Sequence, residues 1–146
     1  MTSEVRFSIK YRVPPHIIFE AMTNQEMISK YTQAKAKFEK KVGGEVEYYD
    51  GSIKGKIVEL IENKKIIISW FPSNWKQSAD VQMTFKPKDG NETLITILIK
   101  ECPNRDASGQ TIEKKTVEEG FKQQIFNKIE MFVGYPINRD DESDSD

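Results

Sequence analysis

The side chains able to do chemistry are few and far apart. His16 is the one histidine, two residues after Pro14 at a helix start, and no cysteine or second histidine stands at metal-ligand spacing from it. It reads as a structural residue. Cys102 is the one cysteine and precedes Pro103 at a strand end. No basic neighbour in sequence would hold its thiolate, so a thiol packed in the core is the simpler reading. The pairs Glu45/Glu47 and Glu118/Glu119 sit in solvent-facing contexts, and acid–base work would need burial to raise one pKa. Gly43-Gly44 lacks the pattern of a phosphate-binding loop and suits a turn. A single histidine placed so early leaves no Ser-His-Asp triad. The expectation is a protein that is not an enzyme, with no cofactor and no metal.

What remains is recognition. Lys35, Lys37, Lys40 and Lys41 cluster just before the Gly43-Gly44 turn. They read either as a solvated, lysine-defended edge or as a docking patch for an acidic partner. Trp75 lies in a loop between Asn74 and Lys76, a place for a rim or interface aromatic. Ser143 has acids on both sides and Asp146 three residues on, so it is a candidate phosphorylation site.

Bulk composition narrows the class. The chain has 146 residues and a formal net charge of −1, a length suited to one domain. The last eight residues hold five acids and one arginine, which leaves 21 bases and 18 acids before them. A body near +3 is too weakly basic for a dedicated nucleic-acid binder. No run approaches the roughly 20 apolar residues of a membrane span, and the first residues lack a signal core. Lone Cys102 fits a reducing compartment. The reading is a cytosolic protein with one domain over residues 1–138 and a disordered acidic tail over 139–146.

The elements that must position these residues follow from periodicity. Residues 4–12 alternate, with Val5, Phe7, Ile9 and Tyr11 on one face. Pro14-Pro15 ends that strand and opens a short helix with Ile17, Ile18, Ala21 and Met22 on one side. Thr23 and Glu26 form a capping box for a second short helix. Residues 34–39 read as a weak strand. Val46–Tyr49 and Ile53–Ile61 pair as a hairpin about Asp50-Gly51. Gly55 marks a bend or a close backbone contact. Three further strands follow over 65–71, 79–86 and 93–100. Thr116–Gly134 closes the body as one long amphipathic helix. Val117, Phe121, Ile125, Ile129, Phe132 and Val133 form its stripe, Thr116/Glu119 its capping box and Gly134 its C′ position. A curved antiparallel sheet wrapped around that helix is an α+β helix-grip fold.

In order and spacing, several segments together resemble a known family. They are Val13-Pro-Pro-His-Ile-Ile-Phe-Glu-Ala21, the run from Val42-Gly-Gly to Gly55, Ile68-Ser-Trp70, Asn74-Trp75, Met83-Thr-Phe85, Thr116-Val-Glu-Glu-Gly-Phe121 and Phe132-Val-Gly134. The pattern is similar to the START-like helix-grip superfamily and, within it, to the activator of heat-shock-protein 90 ATPase family. The resemblance covers about residues 5–137. It implies a co-chaperone domain that binds a heat-shock-protein-90-type chaperone dimer and stimulates its ATPase by favouring the closed state. A monomer is expected, with charge and hydropathy already arguing against a nucleic-acid or membrane partner. A START-like carrier of a small apolar ligand is the alternative, because many helix-grip domains hold a cavity between sheet and terminal helix. The chain departs from the family in three respects. Phe121 replaces the usual tryptophan, Lys76 replaces a proline after the loop tryptophan, and the N-terminal domain of the two-domain co-chaperone has no counterpart in these 146 residues. The family offers no sharp interface motif, so Lys35, Lys37, Lys40, Lys41 and Trp75 rest on charge and exposure alone.

Overall fold

The computed structural model describes residues 2–139. The alternating run at the N-terminus forms β1 (Thr2–Tyr11), and two short helices follow, α1 (Pro15–Thr23) and α2 (Gln25–Thr32). Six strands come next: β2 (Lys37–Phe38), β3 (Glu45–Tyr48), β4 (Ile53–Ile61), β5 (Lys65–Pro72), β6 (Ala79–Lys88) and β7 (Glu92–Pro103). All pairings are antiparallel, in the order β1-β7-β6-β5-β4-β3-β2. The sequence therefore closes on itself through β7, which lies between the first strand and the meander.

Register explains why one face is dry. Phe7 pairs with Ile97, Ile97 with Met83 and Met83 with Ile66, so one row of apolar side chains crosses four strands. A second row runs Val5, Ile99, Val81, Ile68 and Ile57. All of these residues are buried. Because side chains alternate with a period of two, a one-residue slip in any strand would turn its row outward. Register shifts at Ser3/Val5 and Ile57/Glu59 mark bulges that bend the sheet. At Gly55 a Cβ would strike the carbonyl oxygen of Ser69, so this glycine answers a close approach of β5.

The terminal helix is not uniform. It runs as α3 (Lys114–Phe121), a π-helical turn over Lys122–Phe126, and α4 (Asn127–Val133). The π turn holds one more residue than an α turn. That extra residue brings Phe126 inward beside Ile125, and Phe126 is wholly buried although the regular stripe omits it. Phe132 and Val133 are only partly buried. Two tyrosine hydroxyls from the sheet side fasten the turn: Tyr11 donates to the Phe126 carbonyl at 2.6 Å and Tyr49 to the Gln124 carbonyl at 2.5 Å. Phe121 meets Phe7 and Trp70 at ring distances of 6.0 and 5.2 Å, and Trp70 meets Tyr48 at 5.2 Å. This aromatic chain spans the hollow of the sheet.

Several local readings are corrected. The helix starts at Lys114 after Glu113, with no side-chain cap, so the Thr116/Glu119 box does not form. The cap of α2 is Asn24, whose side chain accepts from the Met27 amide at 3.0 Å. Thr23 lies one residue earlier, and its hydroxyl donates to the Phe19 carbonyl. The strand expected over 34–39 shrinks to two residues, leaving Lys35 in a loop with its amide on Asp50. In the β3–β4 turn, Tyr49, Asp50 and Gly51 all adopt positive φ, so the loop is wider than a two-residue Asp-Gly hairpin. Gly134 does take the left-handed C′ position. Beyond it the chain returns to β1 through Arg12 N–H to Pro136 O and Asn138 N–H to Lys10 O. Of the expected acidic tail, Arg139 is placed on Glu130 at 2.7 Å, while residues 140–146, Ser143 included, lie outside the described residues.

Two measurements check this account. Phe126→Ala should cost about 3–5 kcal/mol in urea unfolding, as befits a fully buried ring. Asn24→Ala should cost about 1 kcal/mol and Thr116→Ala less than about 0.5 kcal/mol. A larger loss at Thr116 than at Asn24 would contradict the observed caps. The second concerns Glu130, whose carboxyl is held below its ordinary range by the Arg139 guanidinium, with the Ile137 amide adding to it. A lowered native pKa stabilises the fold above the unfolded carboxylate value of about 4.3, and that share is lost as pH falls through the native value. Glu130→Gln should therefore flatten the fall in stability below about pH 5. An unchanged slope would show that the pair contributes nothing.

Candidate functional site

The residues with reactive potential stay apart. His16 is exposed at the start of α1. Cys102 is buried, and desolvation pushes its thiol up to about 11, the opposite of an activated nucleophile. No group of three or more metal-ligating side chains converges among the described residues. The Tyr31 hydroxyl is fully buried beside Tyr48 without a well-formed hydrogen bond, and burial raises the pKa of both phenols.

Lys35 lies in the loop before β2, Lys37 in β2, and Lys40 and Lys41 in the turn from β2 to β3, and their charges are partly spent. Lys37 pairs with Glu45 across the strands at 2.8 Å. Lys40 pairs with Glu62 at 3.2 Å and Glu20 at 3.9 Å, and its ammonium sits 5.4 Å from the Phe19 ring centre. Such exposed pairs contribute little to stability, yet they cancel much of the local field. Lys35 and Lys41 are exposed, and no ion pair neutralises them among the described residues. The stretch is an interleaved edge with Glu39, Glu45 and Glu47 beside the lysines.

Trp75 is placed differently from the expectation of a rim aromatic. It is 7% exposed and belongs to the core cluster. The cause is a long-range contact: the loop after β7 folds over, and the Ala107 amide donates to the Asn74 carbonyl at 2.7 Å. Together these segments form a half-open groove of about 430 Å³. One wall is the end of β5 with Trp70 and the loop with Trp75, the other the α3 face with Val117, Gly120 and Phe121. Asp106, at the groove's edge, is the one charged side chain among its described lining residues. Its Oδ1 accepts from the Ser108 amide and hydroxyl at 2.9 and 2.7 Å and from the Gln110 amide at 2.9 Å. These bonds, the Ser108 hydroxyl first, hold the carboxyl below its usual range. Sequence reasoning passed over Asp106 and Gly120. The Asp-x-Ser-x-Gln spacing that builds an Asx turn was there to be read, but its meeting with β5 was not.

Comparison with known proteins gives the family. The family described as "Activator of Hsp90 ATPase homolog 1-like protein" matches residues 12–134. A mouse protein, activator of 90 kDa heat shock protein ATPase homolog 2, is 34% identical over 79 residues, which is 53% of this chain and 24% of the mouse protein. The human activator of 90 kDa heat shock protein ATPase homolog 1 is 24% identical over 136 residues, 92% of this chain and 38% of the human protein. The chain thus spans well under two-thirds of either relative's length. Among solved structures, an HSP90 activator from Plasmodium falciparum superposes with a TM-score of 0.86 at 24% identity, covering 93% of this chain and 99% of that one. The Aha1 dimer from Colwellia psychrerythraea gives 0.65 at 16% identity, covering 90% and 96%. Both likenesses show the helix-grip fold. With a match that runs from the end of β1 through the C′ glycine of the terminal helix, the chain belongs to the Activator of Hsp90 ATPase homolog 1-like family.

Proposed function

We propose that this chain is a non-catalytic co-chaperone domain that binds a heat-shock-protein-90-type chaperone dimer and stimulates its ATPase. The family match over residues 12–134 carries the reading, and the printed names of the mouse and human relatives agree with it. Large side chains fill the interior. A protein without catalytic groups accelerates a partner's reaction by binding one of its conformations more tightly, here the closed, hydrolysis-competent state. Lys35 and Lys41 are the charges left to meet an acidic surface on the partner, with Lys37 and Lys40 released only if their glutamates are displaced.

The carrier alternative draws on the groove at Trp75. A carrier buries most of its ligand's surface in an enclosed cavity. This groove is open on one side, and Phe121 and Phe126 occupy the space between helix and sheet. The co-chaperone reading is the better supported of the two.

Titrating the isotopically labelled chain with purified chaperone dimer, with and without nucleotide, tests the proposal. The expected result is a set of shift changes that is larger with a nucleotide analogue that closes the dimer, together with a rise in ATP turnover. The absence of shift changes in both states would overturn it. Lys35→Glu with Lys41→Glu should weaken binding at low salt, and the loss should shrink as salt screens the contact. Unchanged affinity at low ionic strength would remove the lysine turn from the interface.

A further inference from the structure

The sheet has one edge that the chain begins to cover. β1 is its end strand, and β7 takes the other side of β1. Past the terminal helix the chain runs back along the open side. Tyr11 bridges Ile137, Arg12 N–H donates to Pro136 O at 2.8 Å, and Asn138 N–H donates to Lys10 O at 2.7 Å. The pairing is antiparallel, and each step of it fixes the next. Backbone N–H and C=O groups of successive strand residues turn to opposite sides. Lys10 turns its carbonyl to the open edge, so Ser8 and Arg6 do the same. Ser8 Oγ lies 3.2 Å from Thr96 Oγ1, the close side-chain approach of a pair that exchanges no backbone bonds with β7. Among the described residues no segment pairs with the edge at Ser8 and Arg6.

Side chains give that edge a sign. Val5, Phe7, Ile9 and Tyr11 are buried on the inner face, which leaves Arg6, Ser8 and Lys10 on the outer one. Arg6 is exposed and enters no ion pair among the described residues. On the helix side, Lys122 Nζ lies 6.0 Å from the Phe7 ring centre. The chain that arrives here is already extended. Ile137 is buried and Arg139 reaches Glu130 on α4 at 2.7 Å, while Asn138 between them reaches Glu92 of β7 at 3.1 Å. The residues that come next are Asp140, Asp141 and Glu142.

We propose that the free edge of β1 is a docking surface for an acidic extended segment, and that residues 140–143 of this same chain fill it as an added strand antiparallel to Val5–Ser8. Continuing the register sets Asp140 opposite Ser8, diagonal to both Lys10 and Arg6, and sets Glu142 opposite Arg6. Asp141 then stands opposite Phe7, on the side of Lys122. A segment this acidic cannot bury a core of its own. An open edge gives it backbone partners, and the basic side chains supply the attraction. The register shift between Ser3 and Val5 ends the regular edge, and the added strand stops there. So occupied, the edge is closed to strands of other molecules. The inference does not depend on the co-chaperone reading.

NMR of the full 146-residue chain at low salt reads the register directly. Phe7 and Asp141 would form a pair that exchanges no backbone bonds, so their Hα atoms should give a strong nuclear Overhauser contact within one molecule. Asp140→Pro removes the amide that would donate to the Ser8 carbonyl and should make the Ser8 amide exchange about tenfold faster. Arg6→Glu should speed that exchange to a similar degree, Arg6→Lys far less, and added salt should narrow the gap between them. All these variants lie on the exposed edge or beyond Arg139, so the core stays folded and β6 amides report it. A missing Phe7–Asp141 contact would overturn the proposal. So would Ser8 exchange that both Asp140→Pro and Arg6→Glu leave unchanged. A contact found only between differently labelled copies would give the edge to a second molecule and overturn it as well.

Discussion

The contact between the inner face of the terminal helix and the hollow of the sheet holds this molecule together. Val117, Phe121, Ile125, Phe126 and Ile129 are buried there against rows of side chains from five strands. Each full burial contributes roughly 1.5–3 kcal/mol of gross stabilisation, most of it offset by the entropy of ordering the chain. The sheet alone would expose those rows to water, and the helix alone would be marginal in solution. The π turn fits the two surfaces together, because it lets neighbouring residues Ile125 and Phe126 both point inward. The hydroxyls of Tyr11 and Tyr49 then fix the turn's carbonyls, which ties helix geometry to strand register.

That packing also decides what the protein can do. Phe121 and Phe126 fill the interior between helix and sheet. Two kinds of surface result. One is the polar turn around Lys35–Lys41, where ion pairs with Glu45, Glu20 and Glu62 leave a weakened field. The other is the groove beside Trp75, where the end of the helix, the end of β5 and the loop after β7 meet. The first suits a partner read by charge.

Much of the architecture was legible in the residues because period-two alternation is a local signal. Val81, Met83 and Phe85 opposite Asp80, Gln82 and Thr84 place β6, whereas β7 alternates apolar residues on both faces and only the structure shows that Ile95, Ile97 and Ile99 take the inner one. Features that depend on two or more segments were not legible. The Thr23/Glu26 and Thr116/Glu119 spacings match a capping box, but Asn24 and the earlier start at Lys114 won, since a cap is settled by where the helix is packed. Phe126 escaped because a strict 3.6 period cannot anticipate a π turn. Trp75 sits among polar neighbours in sequence and still ends up buried, because a loop thirty residues away closes over it. The lysines were visible as a cluster, while the glutamates that pair with them come from α1, β3 and the β4–β5 turn. The fold-level resemblance in the ordered segments proved more informative than any one of them, and the family match confirms it.

Native-state hydrogen exchange measures the grip itself. If helix and sheet share one cooperative core, the amides from Val117 to Ile129 open only with the amides of β6 and β7, at the free energy of global unfolding. Helix amides that exchange at a distinctly lower free energy, while the strands remain protected, would mean that the helix can leave the sheet and that the fold does not depend on it.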